Sequence, residues 1–379
     1  MAVYKIFPYK DTSLYSFYPD MNTGIDPINQ ISNLNFAVDT YPQVSRFFLQ
    51  FVSSEITDVI DNKIGANTWD VTLRSFIATA QGITEDTDLE IYPIGQTWNN
   101  GTGTYLDQPM TDDGATWNNS NYSGSGNWTE SGSDGLNYIS SSYNPTYSTQ
   151  GGGNWYYSAS DGTLFKVSQS FDTRSEKDLK KGVKTIVERW YSGSLSNYGF
   201  IIKWEDTVEY NTNIEIQPVM QFYSVDTNTI YPPQLEFKWR DYSSVLTGSA
   251  TSSIVSTTNL VSSLAENPGT FFSESINRFR FNVAPKYPVR AWVTSSLFTG
   301  VNYLPTQSYY AIQDLDTNEF IVDFDTQYTQ LSSDGDGNYF DVYMNGLEPE
   351  RYYKILIQTT INNSTLVLDD NYYFKVING

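Results

Sequence analysis

Two short stretches, "TWNNGTG" and "ATWNNSN", set a flat indole beside side-chain amides: Trp98 next to Asn99, and Trp117 next to Asn118. A carbohydrate platform needs these ingredients, an aromatic face for the apolar side of a sugar ring and amides to bond its hydroxyls. Trp128 and Trp155 lie in the same Gly-, Ser- and Asn-rich run and could widen such a platform. The rings have a second use. Exposed indole is a liability, so they could fold inward and anchor loops that hold few other apolar residues. Both uses stay open, and anchoring is the preferred one.

A second set of chemistry-bearing residues is acidic. In "SSDGDGN", Asp334, Asp336 and Asn338 place oxygen ligands at alternate positions, as calcium wants, and "MTDDGATW" offers Asp112 and Asp113. Neither run continues to the glutamate of an EF-hand. Asp-Gly is also a common tight-turn dipeptide, so a plain turn is preferred to a calcium loop. No other cofactor is expected. Glycoside cleavage would need two carboxylates flanking one bond. Glu205 and Asp206, read as neighbours on a strand, point to opposite faces and cannot do that. No residue is offered as catalytic, and a non-enzymatic protein is expected.

The composition narrows the chemistry further. The 379 residues include no Cys and no His. Thiol nucleophiles, imidazole bases, Ser-His-Asp triads, histidine-ligated metals and disulfides are all ruled out. Formal net charge is −21, which repels nucleic acid and anionic lipid. Neither partner is therefore expected. "MAVYKIFPYKD" lacks the apolar stretch of a signal peptide, and nowhere do eighteen apolar residues run together. A product made without a signal peptide and not spanning a membrane is the expectation.

The elements that must position these residues read as strands. With 30 Tyr, 21 Phe and 9 Trp beside many Thr and Ser, the chain has the composition of strands and polar turns. In "SRFFLQF", Phe47, Leu49 and Phe51 alternate onto one face, and in "DVTLRSFIA" Val71, Leu73, Ser75 and Ile77 do the same. Such strands suit a sandwich with one buried face each. Similar runs are "AVYKIFPY", "TDLEIYPI", "YGFIIKWED", "NIEIQPVMQFYS" and "PPQLEFKWRD", then "NRFRFNVAP", "RAWVTSS", "EFIVDF", "NYFDVYM", "YYKILIQTT" and "NYYFKVI". One helix is expected in "SEKDLKKGVKTIVERWYSG". Leu179, Val183, Ile186, Val187 and Trp190 make its apolar stripe, Ser175 caps it and Gly193 stops it. An all-β fold in two domains follows. Residues 1–242 form a jelly-roll-like β-sandwich with one short helix and an ordered insertion over about 96–157, pinned by Trp98, Trp117, Trp128 and Trp155. Residues 243–266 are a Ser/Thr-rich connector, and 267–379 form a second sandwich.

Two resemblances bear on this reading. "KDTSLYSFYPDMNTGID" with Asp11, Asn22 and Gly24, "SRFFLQF" with Arg46 and Phe51, and "DLEIYPI" followed by Trp98 and Trp117 come first. "VKTIVERWYSGSLSNYGFIIK" with Trp190, Gly193, Asn197, Gly199 and Phe200, then "QFYSVDTNTIYPPQLEF", complete the order. Over roughly residues 1–240 this pattern resembles DNRLRE-type β-sandwich domains, which are related to carbohydrate-binding modules. The resemblance implies that the tryptophans belong to the scaffold. "MAVYKIFPYKDTSLYS", "RFRFNVAPKYPVRAWVTSS", "LPTQSYYAIQDLDT", "GNYFDVYMNGLEPERYYKI" and "NYYFKV" are similar to virion structural proteins of contractile-tailed, marine-type bacteriophages. That similarity implies a place in the virion, in the tail, neck or baseplate. The partners would be other virion proteins and copies of the chain itself. The rival it leaves open is a host-surface adhesin binding polysaccharide. In the C-terminal part, "NGLEPERYYKILI" suits the turn before a fibronectin- or Ig-like strand, where Leu-x-Pro precedes a tyrosine tied back to the corner backbone. Tyr352 or Tyr353 would be that tyrosine; a Pro-containing loop leading into any strand fits as well.

Overall fold

The structure is a computed structural model and describes all residues except 1, 35–42, 84–85, 112, 122–125, 129–136, 139–150, 210, 212–216, 247–253, 266 and 288–300. The expected strand "RAWVTSS", Asp112 and much of the insertion beyond Trp128 lie outside the described residues. The chain is all-β, as its composition requires, and divides into two compact units. The larger holds Ile6–Lys63 and Val71–Glu236; the smaller holds Met1–Lys5, Ile64–Asp70 and Phe237–Gly379. Among the described residues no helix is long and apolar enough to cross a membrane.

The larger unit is organised on an eight-stranded sheet whose path runs Val167–Phe171, Thr87–Pro93, Phe200–Trp204, Gln43–Gln50, Ile28–Leu34, Val219–Tyr223 and Ile77–Gln81, with Lys10–Tyr15 also pairing on Gln43–Gln50. Its central strands are buried on both faces: every residue of Phe200–Trp204, and every residue of Gln43–Gln50 after the first. The alternation in "SRFFLQF" predicts burial of Phe47, Leu49 and Phe51, which is found. It also predicts that the opposite face is wet. That face carries Arg46 and Phe48, both fully buried, because the tryptophan-rich insertion folds over it. A sheet covered on both sides loses its polar alternation.

The expected helix is only half helical. Leu179–Gly182 is a strand pairing antiparallel with Thr72–Ser75, and the helix runs Lys184–Tyr191. The strand ladder captures the backbone donors of the first half. Ser175, the expected cap, instead closes a turn with Asp172, whose amide it accepts at 2.9 Å. Ile186, Val187 and Trp190 do form the buried stripe, and Gly193 ends the element in the left-handed region at φ +73°. Other short helical pieces, Ser53–Asp58, the π-helical Val59–Ile64 and Asp206–Glu209, carry no clear periodic signal.

The smaller unit is a two-sheet sandwich. One sheet is ordered Leu260–Ala265, Ile276–Pro285, Gly337–Tyr343, Ser332–Asp334; the other Thr270–Phe272, Ser364–Ile377, Tyr352–Ile361, Ser308–Asp314, Phe320–Val322. Phe279, Phe281 and Phe340 from the first meet Tyr310, Ile355, Ile357 and Phe374 from the second in one core. The last part of the expected connector is thus an edge strand, Leu260–Ala265, paired with Ile276–Pro285. Tyr353 is the corner tyrosine: its hydroxyl donates to the Glu348 carbonyl at 3.0 Å, while Tyr352 is half exposed.

Candidate functional site

The densest chemistry in the larger unit lies under the insertion. Antiparallel register sets Lys203 opposite Glu90, and Ile201 opposite both Tyr92 and Phe48, so these side chains share the face that also carries Arg46. Just beyond the Lys203 strand, the single helical turn Asp206–Glu209 brings Glu209 back over it. Arg46 grips Glu209 with two donors, Nε to Oε1 at 2.6 Å and Nη2 to Oε2 at 3.2 Å. Lys203 Nζ lies 3.0 Å from Glu209 Oε2, 2.7 Å from Asp206 Oδ1 and 3.6 Å from Glu90 Oε2. Tyr92 donates its hydroxyl to Glu90 at 2.9 Å, and Lys166 pairs with the other Glu90 oxygen.

Arg46, Lys203 and Glu209 are wholly buried. Such charges survive only when paired and hydrogen-bonded, and here three cations face three carboxylates. Burial alone would lower the Lys203 pKa, but Glu209, Asp206 and Glu90 together push it above the ordinary lysine value. An amine held as ammonium is neither base nor nucleophile. Burial, with Glu90 second, raises the Tyr92 phenol likewise.

The roof over this cluster is the tryptophan set. The rings of Trp117 and Trp155 each lie 5.0 Å from the Arg46 guanidinium carbon. Arg46 Nη1 donates to the Gly152 carbonyl at 2.7 Å, and the Gly152 amide donates to the Trp117 carbonyl at 2.7 Å. Gly152 stands at φ +71°, and a Cβ there would come within 2.7 Å of both Arg46 and Trp117, so only glycine fits. Trp98 packs against Phe48 at 5.4 Å and donates its indole N–H to Tyr198 O at 2.8 Å. Trp128 meets Phe48 edge-on at 5.6 Å and donates to Thr116 O at 3.1 Å. All four rings are at most 9% exposed, so none offers a face to a sugar in this conformation. Asn99 and Asn118 are exposed, and the Asn118 amide is engaged with Asp20.

Asn22 ties the loops together. Its amide donates to Asn100 O and Ala115 O at 2.7 and 2.9 Å, and its Oδ1 accepts from Gly24 and Gly103 at 3.0 and 2.9 Å. A buried amide with all its bonds made fixes a loop as firmly as packing does. Asp11, on the Lys10–Tyr15 strand, is the odd carboxylate. It is buried and accepts from Asn29 Nδ2 at 2.6 Å and Val225 N at 2.9 Å, both neutral donors. Burial pushes its pKa up to about 7.

Sequence reasoning missed Lys203, Glu90 and Glu209. The signal was a charge inside an otherwise apolar strand, Lys203 in "FIIKW" and Glu90 in "LEIYP", which on a doubly covered sheet must find a partner. Asp206 lies in the helical turn and pairs with Lys203, so Glu205 and Asp206 are not the strand neighbours expected of them.

In the smaller unit the acidic turn is a hairpin in which Asp334 pairs with Gly337. Both Asp334 oxygens accept from Arg280 at 2.8 Å, which holds its carboxyl below the usual range. Asn338 is buried and spends its oxygen on the Leu304 amide at 2.8 Å, while Asp336 is exposed. A calcium ion would have to displace a guanidinium from Asp334. Asp113, the described member of the other acidic run, accepts from Thr102 N and Oγ1. Among the described residues no group of three or more acidic, His or Cys side chains is placed to hold a metal ion.

No protein-family model and no curated protein matches the chain. A solved structure of a DUF4785 family protein from Legionella pneumophila aligns over 82% of this chain at 9% identity with a TM-score of 0.17. The chain spans 64% of that protein's length, and so low a score carries no argument about fold or function.

Proposed function

We propose that the protein is a non-enzymatic structural component of a tailed-phage virion, in the tail, neck or baseplate, which joins neighbours and copies of itself through its β-sandwich units. The observation that carries this reading is where the reactive groups go. Four tryptophans, two buried cations and two buried carboxylates are used up in holding the insertion onto the sheet. Groups locked in mutual pairs build a scaffold and leave little for turnover. The phage setting rests on the likeness of "MAVYKIFPYKDTSLYS" and "GNYFDVYMNGLEPERYYKI" to virion proteins. The rival, glycan binding by Trp98 and Trp117, would need rings that face solvent. The test is mass spectrometry of purified particles from the source virus, digested with chymotrypsin because residues 75–165 contain no Lys or Arg. Recovery of the chain at a fixed copy number relative to other virion proteins is expected, and its absence from intact particles would refute the proposal.

A further inference from the structure

One surface of the larger unit presents what its interior should hide. Tyr18, Ile25, Tyr105, Leu106 and Met110 are 37–47% exposed and belong to two loops that meet. The Tyr105 ring lies 5.1 Å from Tyr15 and 6.3 Å from Tyr18, the Ile25 amide donates to Gly103 O, and the Leu106 amide reaches the buried Met21 sulfur at 3.4 Å. Leu106 stands in the left-handed region at φ +59°, which a leucine adopts only when the surroundings impose it. A strained backbone that turns an apolar side chain outward gains nothing in packing, and strain of this kind gathers at working surfaces.

The same loops are strongly anionic. Residues 11–45 and 75–165, which supply them, contain no Lys or Arg. Asp20 accepts from Asn118, Asp26 from the Ile28 and Tyr105 amides, Asp107 from Thr104 and Thr111, and Asp113 from Thr102, all neutral donors. The rim therefore keeps its negative charge. A second copy docking face to face would bring like-charged rims together in a chain of net charge −21.

We propose that the Tyr105–Leu106 knuckle is a docking surface for a different protein, one with an apolar socket bordered by lysine and arginine. The apolar tip supplies the buried centre of the contact, and the carboxylates steer and select a basic rim. This deepens the assembly reading and rests on it, yet it is tested without particles. Fluorescence anisotropy of the full-length chain would follow a fluorescein-labelled peptide of alternating lysine and leucine, with a glutamate–leucine peptide as control. Leu106→Gly removes the tip and relieves the left-handed backbone, so it should keep or raise Tm while weakening the lysine peptide at least tenfold. Tyr105→Ala should weaken it similarly with the far-ultraviolet spectrum unchanged, and 0.5 M salt should weaken the wild type. Equal binding by wild type and Leu106→Gly would overturn the proposal, because only diffuse charge would then be at work. So would self-association in sedimentation that Tyr105→Ala abolishes, or binding of neutral dextran lost in the same variant. Virion absence with intact peptide binding would remove the phage setting and leave the docking surface standing.

Discussion

Replacing Asp11 by asparagine should change how stability responds to pH, because burial pushes this carboxyl up to about 7. In an open chain the group titrates near 3.8; in the fold, burial lifts it to about 7 against the opposing help of Val225 and Asn29. The folded value lies above the unfolded one. Between these values the folded chain keeps a proton that the unfolded chain has released, so stability is greatest below pH 3.8, falls through the window and is flat above 7. Each pH step of one within that window removes about 1.4 kcal/mol, so the wild type should lose roughly 2.5 kcal/mol from this group between pH 5 and pH 8. Asparagine keeps an oxygen for the two donors at 2.6 and 2.9 Å and has no proton to release. Scanning calorimetry of both proteins at pH 5 and pH 8 isolates the effect, because the two proteins differ at this side chain alone. The gap in Tm for the larger unit should widen in favour of Asp11→Asn by about 5–10 °C from pH 5 to pH 8. A gap that stays constant within about 1 °C would show that the carboxyl is hydrated or paired in solution, and would refute the reasoning.

Two further outcomes follow from the geometry. Arg46→Ala takes away one of the two buried cations that pair with Glu209, leaving Lys203 as the other, and removes the guanidinium under Trp117 and Trp155, so unfolding free energy should drop by about 3 kcal/mol; an Arg46→Ala, Glu209→Ala pair that recovers part of the loss in urea titration would tie the drop to the under-paired carboxylate. Tyr353→Phe keeps the ring in the smaller unit's core but loses the bond to Glu348 O, which should cost about 1 kcal/mol by the same titration.

Much of the fold was legible because strands advertise themselves by apolar alternation. "NYFDVY" lies in Gly337–Tyr343 and "YYKILIQTT" in Tyr352–Ile361, while the Leu-x-Pro approach left Tyr352, Tyr353 or a plain loop open, and the bond to Glu348 O falls to Tyr353. The stripe from Leu179 to Trp190 reads as one helix because Leu179 and Val183 are buried, as a helix would require, although the backbone between Leu179 and Gly182 hydrogen-bonds to the distant strand segment Thr72–Ser75. Periodicity reports which residues are inside and does not report which partner holds the backbone. The ionic cluster was hidden for a related reason. Glu209 meets Arg46 across 163 positions, and no local pattern links them. The knuckle gives no sign of itself in the sequence, because its exposed rings are tyrosines in a chain that has 30 of them, while the rarer tryptophans beside it are the buried ones.

The fit of Gly152 under Arg46 carries a consequence for how the insertion comes loose. Its carbonyl completes the arginine's bonds and its amide holds Trp117, so the flap and the ion pair share one latch. Lifting the flap floods a buried charge pair, and disturbing the pair frees the flap. The described segments around Gly152 and Trp117 should therefore open in step with the sheet beneath them, the Gly152 amide exchanging with deuterium as slowly as the amides of the Arg46 strand.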